Sequence, residues 1–194
     1  MNRGLLRAAG ALLAAALAVA ASGCSAGADA GTFQLVSPDG QTRIRYQPDQ
    51  RQKIPDLTGP NVTDPGSTLS VADYAGRVVV LNVWGSWCPP CRTETPVFKR
   101  LSEAHPDVTV LGVNVRDDPD AAADFLRGFE VNYPSMFDES GRILLNLRGI
   151  PLSAVPVTLV VDKLQRVAAV HLGAVLDSDL EPVLRDVLAE PAHA

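Results

Sequence analysis

Apolar and polar positions follow two rhythms along this chain. Residues 78–83 are apolar except for Asn82 and rich in β-branched side chains. Such a run suits a strand covered on both faces. Residues 108–115 repeat the pattern and predict a second buried strand. Between them, Pro89 opens a predicted helix running to about Ala104. Pro89 and Pro90 fit a helix's first turn, where backbone N–H groups have no intrahelical partner, and Pro96 is expected to kink it. Asp118-Pro119 reads as an N-cap and first-turn proline for a helix through about Gly128. Residues 133–137 are a short strand candidate and residues 143–147 a short helix. Residues 157–161 and 167–170 predict two strands joined near Asp162-Lys163. Ser178-x-x-Glu181 reads as a capping box. Leu180, Val183, Leu184, Val187 and Leu188 then share one helical face.

Upstream, residues 33–36 and 43–46 flank Ser37-Pro38-Asp39-Gly40, which predicts a hairpin with turn chemistry at its tip. Residues 47–67 are rich in Pro, Asp and Gly and read mostly as loop. Residues 71–74 suit a helical turn closed by Gly76. The resulting order is β-α-β-α-β, then two strands in close succession, then a helix. Alternation implies parallel strands and the close pair an antiparallel one. The expected class is α/β, a central mixed sheet flanked by helices.

The N-terminus has a different character. Arg3 and Arg7 accompany an Ala/Leu stretch over residues 5–21, followed by Ser22-Gly23-Cys24. This predicts a secretory signal over residues 1–23. The small residues before Cys24 are similar to the lipobox of bacterial lipoproteins, where cleavage leaves a lipid-modified cysteine. An ordinary signal peptide is the alternative. A retained span needs about 20 apolar residues, and Arg7 interrupts this run. Residues 24–53 are expected to be tether and hairpin, and residues 54–190 the folded domain.

The chain has 194 residues, 46% hydrophobic and 20% charged, which suits one domain with appendages. Its net charge is −5, and −7 without residues 1–23. No basic cluster for nucleic acid is present. Anionic lipid would attract such a chain little, so a covalent anchor at Cys24 is the more physical attachment. Three cysteines would leave one unpaired in an exported protein. Lipidation of Cys24 leaves Cys88 and Cys91 as a pair, free to be oxidised outside the cytoplasm.

That pair lies in Trp87-Cys88-Pro89-Pro90-Cys91, directly after the first buried strand. As a staple it would do little: the chain-entropy expression gives about 2 kcal/mol for a four-residue loop against about 3 for fifteen. Structural zinc needs four ligands, and His105, His171 and His193 lie in unrelated contexts. Haem attachment needs a histidine where Arg92 stands. Thiol–disulfide exchange fits best. Cys88 falls at the helix start, where the dipole and free N–H groups stabilise a thiolate, so it is the expected attacker. Cys91, one turn in and less exposed, is the expected resolving cysteine. The disulfide itself is then the redox group, with no metal or other cofactor.

Residues 80–96, from Val80 through the cysteines to Glu94-Thr95-Pro96, resemble the TlpA/ResA-like (DsbE/CcmG-like) family of extracytoplasmic thioredoxin-like proteins. Pro55-Asp56-Leu57 and Val155-Pro156-Val157-Thr158 with Asp162 also match, and residues 117–147 suit the family's central β-α insertion. The resemblance spans about residues 54–189. It implies a thioredoxin-like fold and a cis bond before Pro156. It also implies a loop at Val155 and Pro156 that faces the cysteines and pairs with an extended substrate. Cytoplasmic thioredoxins carry a buried aspartate where Asn82 stands. An amide cannot accept the proton that Cys91 must lose, and Glu94 is the nearest candidate; a helix-surface glutamate is the alternative. Trp84 and Trp87 are candidates for an apolar rim, Trp84 equally for core.

Pro89 and Pro90 bring no N–H to the Cys88 sulfur, and no histidine lies between the cysteines. The thiolate is therefore less stabilised than in strong oxidants, which tilts the expectation toward a reductase. In the resembling family this role means reducing haem-binding cysteines of apocytochrome c with electrons from a membrane thiol–disulfide donor. The expected protein is monomeric and held on the outer face of the bacterial cell membrane through Cys24. It acts on exported protein thiols or disulfides. An oxidase acting in the opposite direction and a non-redox lipoprotein binding module are the alternatives.

Overall fold

The computed structural model describes residues 32–151 and 153–192. The expected signal and Cys24 lie outside these residues. Among the described residues there are eight strands: β1 (Arg43–Arg45), β2 (Thr58–Pro60), β3 (Thr68–Ser70), β4 (Val78–Trp84), β5 (Val108–Val115), β6 (Ser135–Asp138), β7 (Val157–Val161) and β8 (Val167–Leu172). The helices are α1 (Pro89–Ala104), α2 (Pro119–Gly128), the single turn α3 (Arg142–Leu145) and α4 (Asp177–Ala189).

Six strands form one sheet in the order β1-β8-β7-β4-β5-β6. The βαβ connections make β4, β5 and β6 parallel, and β7, β8 and β1 follow antiparallel. This is the mixed α/β sheet the apolar pattern predicts. Every residue of β4 is buried, which explains why its sequence does not alternate. One face packs Val78, Val80, Val110 and Val160 against α1 and α4 through Phe98, Leu101, Leu180 and Leu184. The other packs Leu81, Leu111 and Leu159 against Leu57, Leu144, Leu147 and Phe33. Each fully buried Val or Leu contributes roughly 2 kcal/mol. No helix among the described residues is long and apolar enough to cross a membrane.

The helix bounds expected for α1 and α2 are observed. The Asp118 carboxylate caps α2 by accepting from the N–H groups of Asp120 and Ala121 at 2.9 and 3.0 Å. Two local expectations need correction, and a third, the mostly loop segment 47–67, needs one short strand added. The hairpin of residues 33–36 with 43–46 does not form. β1 instead pairs with β8, Ile44 opposite Val170, while the N–H groups of Phe33 and Leu35 bond the carbonyls of Lys53 and Arg148. The open edge of β8 outcompetes a local partner, and Phe33 and Leu35 turn into the core. Helix α4 begins one residue before Ser178, and the Asp179 carboxylate, not that of Glu181, accepts from the Leu176 N–H at 2.8 Å. The loop expected over residues 47–67 contains β2, paired with β3. Gly59 in β2 packs closely on Ile143: a Cβ there would lie 2.7 Å from Ile143 Cδ1 and displace the end of that side chain.

A buried charge network ties the ends of the domain together. Arg51 donates to Asp162 at 3.1 Å and to Glu190 at 2.6 Å. Asp162 also takes the N–H groups of Leu164 and Arg166 in the β7–β8 turn. Removing Arg51 would leave a buried carboxylate partly unpaired, while the turn amides would still hold it.

Candidate active site

Strand β4 ends at Trp84, and the loop Gly85–Trp87 delivers Cys88 to the N-cap of α1. Cys88 and Cys91 are joined by a disulfide. In this state both are closed from solvent, at 2% and 1% exposure, so exposure does not separate their roles. Position does: Cys88 precedes the first turn, and the Cys91 N–H points at Cys88 Sγ at 3.2 Å. With Pro89 and Pro90 lacking N–H groups, that amide is the only one the first three helical residues offer.

The bond before Pro156 is cis, and Val155 packs against the cluster containing Cys88, Cys91 and Trp84. The loop thus lies beside the cysteines, as the resemblance implies. Trp84 is core: its ring is 3% exposed, lies 4.7 Å from that of Phe125 and donates to Ser135 Oγ at 2.9 Å. Trp87 is 49% exposed. Its indole N–H donates to the Arg116 carbonyl at 3.0 Å, and Gly85 leaves room for the ring, which lies 2.6 Å from where a Cβ would stand.

Glu94 is fully buried, so the surface alternative is excluded. Spacing of i,i+3 places it on the same face of α1 as Cys91. Its carboxyl accepts from Asn82 Nδ2 at 2.8 Å and from the Val175 N–H at 3.1 Å. Burial raises its pKa from 4.5 to about 7, against the lowering effect of those two donors and of Arg43. A carboxyl of that pKa is half ionised near neutrality, where a proton acceptor is useful.

Asp117 is a site residue that pattern reading missed. Its carboxylate accepts from the Ser86 N–H at 2.6 Å and hydroxyl at 2.7 Å, from Asn114 Nδ2 at 2.8 Å and from the Asp118 N–H at 3.0 Å. It pins the loop before Cys88 to the end of β5. The only sequence signal was an aspartate at a strand's C-terminal end, where α/β sheets place functional groups. Replacing Asp117 by alanine strands four donors and is expected to cost about 2–4 kcal/mol. Urea unfolding of the oxidised protein measures this; a loss below about 0.5 kcal/mol would show that water substitutes for the carboxylate.

The sheet order, the cysteine pair at a helix N-terminus and the cis-proline loop beside it define a thioredoxin-like thiol–disulfide oxidoreductase. The Redoxin family pattern matches residues 49–188, and the chain belongs to that family, among its DsbE/ResA-like members. The thiol:disulfide interchange protein DsbE of Pseudomonas aeruginosa is 35% identical over 138 residues, 68% of this chain and 73% of that one. The thiol-disulfide oxidoreductase ResA of Bacillus cereus is 28% identical over 129 residues, 65% of this chain and 73% of that one. Among solved structures, a secreted thiol-disulfide isomerase from Corynebacterium glutamicum is 39% identical, with a TM-score of 0.79. It aligns with 82% of this chain and 99% of its own.

Proposed function

We propose that the protein is an extracytoplasmic, membrane-anchored reductase of protein disulfides, lipidated at Cys24, with the haem-site cysteines of apocytochrome c as substrate. A membrane thiol–disulfide protein supplies its electrons. The observation that carries the reducing direction is the polar environment of the pair. One N–H reaches the Cys88 sulfur; the buried ionisable group on the Cys91 face of α1 is a carboxyl, Glu94, and the adjacent cation, Arg92, is exposed and donates to the Ser86 carbonyl at 3.0 Å. Strong oxidants stabilise their reduced, thiolate form, and this site offers little such stabilisation. The DsbE and ResA relatives are named for thiol–disulfide interchange and oxidoreduction, which supports exchange chemistry at this pair in either direction.

In the reduced protein, Cys88 attacks one sulfur of the substrate disulfide, and the first substrate sulfur leaves as a thiolate and is protonated. Glu94 takes the Cys91 proton. Cys91 then attacks Cys88 Sγ and expels the second substrate sulfur. Two electrons and two protons pass to the substrate, and the Cys88–Cys91 disulfide closes. Val155 offers its backbone to the extended substrate and Trp87 an apolar rim. The protein acts as a monomer.

The name of the Corynebacterium glutamicum neighbour, a secreted isomerase, favours the second reading, a protein that forms or rearranges disulfides. The reduction potential, measured against glutathione, separates the two. A value near −270 mV is expected; one near −120 mV, typical of strong oxidants, overturns the reducing direction.

A further inference from the structure

Glu94 has no exposed surface, and both its carboxyl oxygens are held by donors, Asn82 Nδ2 and the Val175 N–H. A proton taken there has to leave through the interior. The register of the sheet shows what lies in that direction. Asn82 of β4 stands opposite Thr158 of β7, Thr158 opposite His171 of β8, and His171 opposite Arg43 of β1. Directly opposed residues of antiparallel strands share a face, with Cβ atoms about 5 Å apart. The four therefore form one row beneath α1 and α4, from Glu94 to the sheet edge.

Two members of this row are chemically unspent. Thr158 is fully buried and His171 is 4% exposed. The Thr158 hydroxyl and both His171 ring nitrogens have no protein partner. Buried polar groups seldom lack a partner, and those that do mark ordered water or a functional role. A histidine is locked in one tautomer when a fixed partner holds one nitrogen; neither nitrogen is held here. At the outer end, Arg43 and Asp179 form an ion pair whose side chains are 38% and 28% exposed.

We propose that Thr158 and His171 are the route by which the buried Glu94 carboxyl exchanges its proton with solvent at the β1 edge. This rests on Glu94 being the proton acceptor for Cys91. The proton leaves Glu94, passes the Thr158 hydroxyl through bridging water, and enters His171 at one ring nitrogen while another leaves from the second. The imidazole ends neutral with its tautomer exchanged. Burial and Arg43 hold its pKa down, at about 4, so it does not store the charge. Arg43 and Arg45 of β1 and Asp179 of α4 act on it electrostatically. On the other side Glu94 is near Tyr133, whose phenol burial keeps protonated. That makes Tyr133 the competing exit.

The test is carbon-13 spectroscopy of the reduced protein with glutamate labelled at its side-chain carboxyl, the Glu94 signal being assigned by Glu94→Gln. In the unsubstituted protein one averaged line is expected to titrate near neutrality. In Thr158→Val and in His171→Phe the same midpoint is expected, but with separate lines for the two protonation states. The resolving step, followed by stopped flow with oxidised glutathione, is expected to slow about tenfold or more in both. Thr158→Val is nearly isosteric and carries the test alone if the histidine variant does not fold. A single averaged line and unchanged rate in these variants would overturn the route, as would line separation in Tyr133→Phe alone. A shifted midpoint with fast exchange would show a merely structural row. No titration of Glu94 between pH 5 and 9 in the unsubstituted protein would overturn the acceptor reading and the route with it, a result distinct from the others.

Discussion

Replacing Cys88, the proposed attacking cysteine, with serine is expected to lower thiol–disulfide exchange by about a thousandfold or more, to the background of free thiols, because the group proposed to form the mixed disulfide is gone. Replacing Cys91 with serine has a different outcome. The first attack still occurs, but nothing expels the second sulfur, and the protein accumulates as a mixed disulfide. With oxidised glutathione as probe, mass spectrometry distinguishes the two: one glutathionyl adduct on Cys91→Ser and none on Cys88→Ser. The assignment rests on the chain's path. Cys88 is the N-cap of α1, at the positive end of the helix, whereas Cys91 lies inside the first turn; both share the cluster of Trp84, Phe125 and Leu126. Both cysteines are buried in the oxidised form, so position along the helix, not exposure, carries the assignment. An adduct on Cys88→Ser in place of Cys91→Ser would reverse the roles.

The second large effect concerns Glu94 and pH. Its carboxyl has a folded pKa of about 7 against an ordinary value of 4.5. Between those values the folded protein binds more protons than the unfolded chain, so stability falls as pH rises. The contribution is fully present below pH 4.5 and is lost as pH passes through 7. Two and a half pKa units correspond to about 3 kcal/mol, or about 10 °C in melting temperature for a domain of this size. Glu94→Gln should remove that dependence. Both partners are donors, so the glutamine keeps one hydrogen bond through its Oε1 and loses the other, where its Nε2 faces a donor; the variant therefore starts lower at pH 4.5, and the gap to the parent closes by about 3 kcal/mol as pH rises through 7. Thermal unfolding of the oxidised form across this range measures both curves. Parallel curves would mean that Glu94 is not the group whose burial raises its pKa. On the functional side, the proposed role of Glu94 as acceptor of the Cys91 proton predicts that the resolving step slows in the variant at neutral pH.

The elements nearest the chemistry were also the most legible. Strands β4 and β5 are covered on both faces, and a strand in that position is written as an unbroken apolar run. Pro89-Pro90 and Asp118-Pro119 mark helix starts because their physics is local: a missing N–H and a fixed φ. The cysteine spacing places both sulfurs on one helical turn, and nothing distant is needed to see it. The hairpin expected at residues 33–46 shows the limit. Alternation identifies a strand but not its partner, and β1 pairs with β8, more than 120 residues away in sequence. The α4 cap failed for a smaller reason, since several acidic residues compete near the helix start and their geometry decides which accepts.

By itself, the sequence determined the order of elements, the buried character of the central strands and the presence of an exchangeable cysteine pair at a helix start. These depend on residue type and short spacings. The tertiary structure alone decided the surroundings of that pair. It buried Glu94 between Asn82 and Val175, set Asp117 under the Cys88 loop, sent Trp84 into the core while leaving Trp87 outside, and aligned Thr158 and His171 with Asn82. Each is a contact between residues distant in the chain. Desolvation, which sets the Glu94 pKa, is a property of everything packed around a group, and no local pattern of residues encodes it.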